Sequence, residues 1–192
     1  MKKLIAIALI ACGALSTPAY AEPQPYKFDP NHTELLFTYR HLGLSNAYGQ
    51  FKKVDGTVTI DREKPADSSV DVTIDVASID SGIDKFDEHL KADDFFDVKN
   101  FPTMTFKSTK VEKLSDEKFK VTGDLTIKGK TVPTILDVTL LADQKHPMKQ
   151  DVQVAAFSAS TTIKRSEFGM GKYVPLTSDE VKIIIETEMF GQ

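Results

Sequence analysis

The sequence predicts an all-β protein, an eight-stranded antiparallel β-barrel with one helical insert. Three observations predict it. Apolar and polar residues alternate with period two over most of the chain, as in strands with one buried face. Turn-forming residues break these runs at short intervals. One stretch, about 82–98, switches to a helical period. Eight antiparallel strands enclose just enough interior for side chains or one small ligand, and closure removes the edges that invite aggregation. A sandwich of the same strands satisfies the periodicity equally.

The first 21 residues read as a secretory leader and stand apart from the fold. Lys2 and Lys3 form a basic start, 4–15 is an apolar run, and Ala19-Tyr20-Ala21 is a small-x-small cleavage site. The run is too short to span a bilayer. Cleavage makes Glu22 the mature N-terminus of an exported protein. Leu9-Ile10-Ala11-Cys12 resembles a bacterial lipobox, the rival reading, in which Cys12 becomes a lipid-modified terminus. Cleavage after Ala21 leaves 171 of 192 residues, expected to form one domain over 22–192. It removes two lysines and no acid, so the formal charge moves from −4 to −6. That balance, with no basic cluster, argues against nucleic-acid binding. Cys12 is the only cysteine, so the mature chain has no disulfide, thiol nucleophile or cysteine metal site. No further apolar segment of membrane-spanning length occurs, and a soluble product is expected.

The elements follow in order. A first strand begins at Tyr26-Lys27-Phe28 and is broken by Asp29-Pro30-Asn31. Leu35, Phe37, Tyr39 and His41 then share one strand face. A second strand covers 48–60, with Gly49 and Gly56 marking close backbone approach or a bulge. Val70, Val72, Ile74 and Val76 alternate with polar residues. In the helical stretch, Ile83, Phe86 and Leu90 make an apolar stripe expected to face the barrel, with His89 on the charged side. Ser81 and Asp84 fit a capping box, placing the helix at about 82–91. Asp93 or Asp94 caps a short turn carrying Phe95 and Phe96, and Pro102 returns Phe101 to extended structure. Met104 and Phe106 start the next strand. Lys128-Gly129-Lys130 joins the strands at 119–127 and 131–141 into a hairpin. The stretch 142–150 reads as a loop, 152–164 as a strand rich in small residues, 165–175 as irregular and 181–189 as the last strand.

Chemistry-bearing motifs are sparse. There is no G-x-S-x-G, H-E-x-x-H or phosphate loop. The four histidines, His32, His41, His89 and His146, show no spacing that converges on one ion, and the acids near the helix do not match a calcium loop. No catalytic residue, metal or cofactor is expected. The aromatic inventory says more. With twelve Phe and no Trp, the chain offers Phe37, Phe51, Phe95, Phe96, Phe106, Phe157 and Phe168 as lining. Ala156, Ser158, Ser160, Met104 and Met170 are small or unbranched, and an underfilled apolar interior is a ligand cavity.

An ordered set of motifs then resembles the YceI-like family of periplasmic polyisoprenoid- or lipid-binding proteins. It comprises Asp29-x-x-His32-Thr33; Phe37 with His41-Leu42-Gly43 and Ser45; Gly49-Gln50-Phe51; and His89-Leu90-Lys91 with Asp94-Phe95-Phe96-Asp97. Phe101-Pro102 with Thr105-Phe106, the run from Gly123 to Gly129, and Arg165-Ser166-Glu167-Phe168-Gly169-Met170 complete it. Where the family usually carries an Arg-Asp pair before the helix histidine, this chain has Lys85-Phe86-Asp87. The resemblance implies a lipocalin-like barrel with a long apolar pore, a bound isoprenoid, quinone or fatty amphiphile, and often a dimer. Pore lining and mouth are then expected from Phe37, Tyr39, His41, Leu42, Phe51, Val72, Ile74 and Leu90, together with Phe95, Phe96, Met104, Phe106, Ala156, Phe168 and Met170. The expected role is binding, sequestration or transport of a long-chain lipid, with transient membrane contact. The alternatives are an enzyme acting on such a lipid through His41 or Arg165, and a stress-related protein with a filled core.

Overall fold

The computed structural model describes residues 22–192, so the leader and the lipobox reading at Cys12 lie outside the described residues. Ten strands and one helix follow in order. They are β1 (Gln24–His41), β2 (Ser45–Phe51), β3 (Val54–Ile60), β4 (Ser69–Asp75), β5 (Ile79–Asp80), α1 (Asp84–Lys91), β6 (Thr103–Lys113), β7 (Lys118–Ile127), β8 (Lys130–His146), β9 (Lys149–Lys164) and β10 (Thr177–Gly191). Every pairing is antiparallel, and β10 pairs with β1 to close the sheet. β2 and β3 lie in succession along β1, and β4 and β5 in succession along β3 and β2. The closed wall is therefore an eight-stranded antiparallel barrel, two of whose strand positions are interrupted.

Up-and-down connectivity sorts the loops onto two ends. The β1–β2 turn, α1, the β7–β8 turn and the segment 165–176 share one, here the helix end. The β3–β4 and β6–β7 loops, the β8–β9 turn and both ends of the described chain share the other.

Several boundaries differ from the sequence reading. β1 runs through Asp29-Pro30-Asn31 without ending, because the excess residues are taken up in a bulge opposite β10. The strand expected over 48–60 is divided at Lys52 and Lys53. The loop expected over 142–150 is a tight hairpin instead. Its polar residues alternate between the outer face and the inner end of the barrel, where Asp143 reaches the cavity, and the partner strand satisfies their backbone.

The helix starts at Asp84, and Ile83 is its extended N-cap, 62% exposed. The inward stripe is Phe86, His89 and Leu90, not Ile83, Phe86 and Leu90. The capping carboxylate is Asp87, buried, which accepts from Ser81 N at 2.8 Å and Ser81 Oγ at 2.5 Å. Starting the helix at Asp84 removes Ile83 from the stripe and brings His89 in from the charged side.

Two apolar clusters form. The larger unites Phe51, Ile74, Leu90, Met104, Phe106, Val121 and Phe168. The smaller, Tyr26, Ala155 and Met189 with Phe28 and Phe157 against it, fills the barrel near the chain termini.

Candidate functional site: an apolar cavity inside the barrel

Inward alternation on nearly every strand leaves space that side chains do not fill. The result is a cavity of about 670 Å³, within the range of roughly 300–1,000 Å³ usual for ligand pockets. Phe37, Tyr39, His41, Phe51, Val72, Ile74, Leu90, Phe95, Phe96, Met104, Phe106 and Met170 stand on its wall.

Three expected positions do not. β1 ends at His41, and Leu42 takes a positive φ of 50° in the turn, so alternation stops there and its side chain is exposed. Phe168 is fully buried on the 3-10 turn Arg165–Phe168 and packs in the core off the cavity wall. Ala156 stands between Ala142 and Glu188 with outward parity, whereas Phe157, Ala159, Thr161 and Ile163 point in. Small residues occupy both faces of β9, so composition does not mark its inside, and the inward parity expected for Ala156 is reversed.

The wall also includes positions not singled out from the sequence, among them Leu35, Val121, Leu125, Ile127, Leu136, Val138, Ile183 and Ile185. The signal available for them is the period-two alternation of β1, β7, β8 and β10. Phe37 and Phe106 reach the cavity by lying over glycines. A β-carbon on Gly49 or Gly123 would stand 2.3 Å from Phe37 Cζ or 2.5 Å from Phe106 Cζ.

The helix end carries a cluster of aromatic and polar groups. Phe51 contacts the Phe37 ring at 5.7 Å and meets the Phe96 ring edge-on at 5.5 Å. His89 meets the Phe95 ring edge-on at 5.0 Å and the Tyr173 ring at 6.4 Å. Asp94 accepts from Lys172 and lies 3.5 Å from His89 Nε2, and the Lys172 ammonium holds its carboxyl below the usual carboxylate range. Neither His89 nor Lys172 was legible as a wall residue, because only α1 and the loop after β9 bring them together.

Arg165 is buried beside this rim. Its Nε donates to the Ser178 carbonyl at 2.9 Å, Nη1 to those of Met170 and Lys172, and Nη2 to that of Thr177 at 3.1 Å. Burial lowers its pKa. Burial likewise raises that of Tyr39 on the adjoining wall. With its donors taken by carbonyls, Arg165 organises the 165–178 segment. His41, the other candidate for chemistry, is exposed at the strand end.

The opposite end is latched. Arg62 Nε and Nη2 donate to Asp143 Oδ2 and Oδ1, each at 2.7 Å, and Nη2 also reaches the Tyr26 hydroxyl. Gln153 Nε2 donates to Asp143 Oδ1 at 2.8 Å.

A YceI-like domain is matched over residues 26–189, nearly all of the described chain. The chain belongs to the YceI-like family. A relative from Photorhabdus laumondii, UPF0312 protein plu2095, is 37% identical over 190 residues, covering 98% of this chain and 97% of that one. Among solved structures, BcnA of Burkholderia cenocepacia is similar with a TM-score of 0.75 at 31% identity, over 84% of this chain and 98% of that one. A polyisoprenoid binding domain from Saccharophagus degradans, implicated in plant cell wall breakdown, shares the fold with a TM-score of 0.61 at 17% identity, over 87% of this chain and 98% of that one. The family motifs divide by location. His89, Leu90, Phe95 and Phe96 stand on the cavity wall at the helix end, while Asp29 and His32 lie on the outer face of β1. Among the described residues, no helix is long and apolar enough to cross a membrane.

Proposed function

We propose that this chain binds a long-chain apolar lipid inside its barrel and thereby sequesters or carries it through the aqueous periplasm. The ligand class is a polyisoprenoid, an isoprenoid quinone or a fatty-acid-like amphiphile. One observation carries the reading: the closed barrel keeps an apolar cavity of about 670 Å³ where a filled core would stand. Burying one methylene in such a space contributes about 0.8 kcal/mol, so a long chain gains more than a compact polar molecule. The shared fold of a polyisoprenoid binding domain supports the class.

The polar rim of Tyr39, His41, His89 and Lys172 suits a lipid head, and the apolar wall below it suits the tail, as far as the charged groups Asp61, Arg62, Lys113, Asp116 and Asp143 at the opposite end. Seven exposed large apolar side chains, Leu42, Leu44, Tyr48, Ile83, Tyr173, Val174 and Leu176, belong to the helix end. We assign transient membrane contact to that end; a homodimer would bury the same patch instead.

Native mass spectrometry of protein purified from exporting cells tests the proposal, followed by extraction and identification of the bound molecule. One long-chain lipid per barrel is expected. An empty barrel that also fails to take up an added polyprenol or long-chain fatty acid would overturn it. Chemical conversion of the extracted lipid on incubation with fresh protein would make the chain an enzyme.

A further inference from the structure

The register of β1 against β10 makes an unusual corner on the outside of the barrel. Phe28 pairs with Met189 and Thr33 with Thr187, so the four residues Asp29, Pro30, Asn31 and His32 stand opposite the single residue Glu188. Phe28, Thr33, Thr187 and Met189 all line the cavity, which puts Glu188 and the bulge on the outer face. The excess chain folds on itself. Asn31 N donates to Asp29 Oδ1 at 2.9 Å, and His32 Nδ1 lies 2.6 Å from Asp29 Oδ2. The result brings one ligand atom each from Asp29, His32 and Glu188 within 4.8 Å of one another. Asp29 is buried and His32 exposed, so the cluster has a fixed floor and an open side.

We propose that Asp29, His32 and Glu188 bind one divalent transition-metal ion of the zinc type, bridging β1 to β10. An imidazole with two carboxylates suits zinc and its neighbours better than magnesium or calcium, which take oxygen alone. Zinc holds nitrogen and oxygen at about 2.0–2.2 Å, so tetrahedral ligand atoms stand roughly 3.4 Å apart. Asp29 Oδ2 and His32 Nδ1 now share a hydrogen bond at 2.6 Å, so the ion takes the place of that proton and the pair opens to this spacing, with Glu188 as the third ligand. Three protein ligands and an open side leave a coordination position for water. Asp29 keeps its second oxygen on the Asn31 amide, which fixes the carboxylate's orientation. The His32 contact and, more weakly, the charge of Lys149 favour the ionised Asp29 carboxylate. The site is separate from the lipid cavity and does not depend on what that cavity holds.

Untagged protein stripped with chelator is titrated with Co²⁺, read by its visible absorption, and with Zn²⁺ by calorimetry. One equivalent is expected to bind, and saturating Zn²⁺ to raise the melting temperature, since an ion that binds only the folded state stabilises it. His32→Ala and Glu188→Gln should each weaken binding roughly tenfold or more, with His89→Ala and His146→Ala unchanged. Glu188→Gln leaves the Asp29–His32 contact in place, so it remains decisive if His32→Ala perturbs the bulge. No saturable binding up to millimolar metal would overturn the proposal. So would binding that survives Glu188→Gln unchanged, or that is lost only with His89 or His146.

Discussion

The Phe37 ring lies over Gly49 on the neighbouring strand, so close that a β-carbon on Gly49 would stand 2.3 Å from Phe37 Cζ. The ring can enter the cavity wall only because position 49 carries no side chain. Gly49→Ala should cost about 1–3 kcal/mol by forcing that ring aside. Phe37→Leu in the same chain should recover part of the loss. A double-mutant cycle in denaturant checks this, and strictly additive changes would contradict the contact.

Ile83 and Leu90 separate the two possible helix phases. Leu90→Ala should cost about 2–5 kcal/mol, as for a buried core leucine. Ile83→Ala should stay within about 0.5 kcal/mol, as for a surface site. Chemical unfolding of both variants decides the phase, and equal losses would restore Ile83 to the buried stripe.

Asp87 rather than Asp84 should matter for the start of α1. Asp87→Ala leaves the Ser81 amide and hydroxyl without their acceptor and should cost about 1–3 kcal/mol. Asp84→Ala should change little. Hydrogen exchange at Ser81 reports the same difference locally.

Asp143 carries a pH-dependent part of the stability. The Arg62 guanidinium lowers its carboxyl below the ordinary 3.8. A carboxylate with a depressed folded pKa contributes its full stabilisation above the unfolded value and loses it as pH falls through the folded one. Asp143→Asn should therefore cost about 1–2 kcal/mol at neutral pH, a buried-pair loss reduced by partial exposure. The gap from the parent should narrow below pH 3.8. Melting both proteins across that range tests it, and a pH-independent gap would mean that Arg62 does not hold the charge.

Ala159 points into the cavity, next to Phe157 and Thr161 on β9. If a lipid tail fills that space, Ala159→Phe should abolish lipid co-purification while the lipid-free protein melts close to the parent. In a filled core the same ring would cost about 1–3 kcal/mol. Ala156→Phe, on the outer face, should leave lipid binding intact.

Local pattern was enough for the alternating faces of most strands and for the single helical insert, but not for the passage of β1 through Asp29-Pro30-Asn31 or the β8–β9 hairpin. Period two places Val121, Leu125 and Ile127 on one face whatever the partner strand is, because a pleated chain puts every second side chain on the same side. Leu90 was legible because the helical period stands out against the alternation around it, and Phe95 and Phe96 because they sit on the short turn that follows it.

What tertiary structure alone decided was which face is inside and which distant groups meet. On β9, alanine, serine and threonine occupy both parities, so only pairing with β8 and β10 turns Ala159 in and Ala156 out. His89 and Lys172 share a rim because a loop after β9 folds against α1. Asp29, His32 and Glu188 come together because barrel closure sets β10 beside a bulge in β1. Register across a closed sheet is a global property, and no local period encodes it.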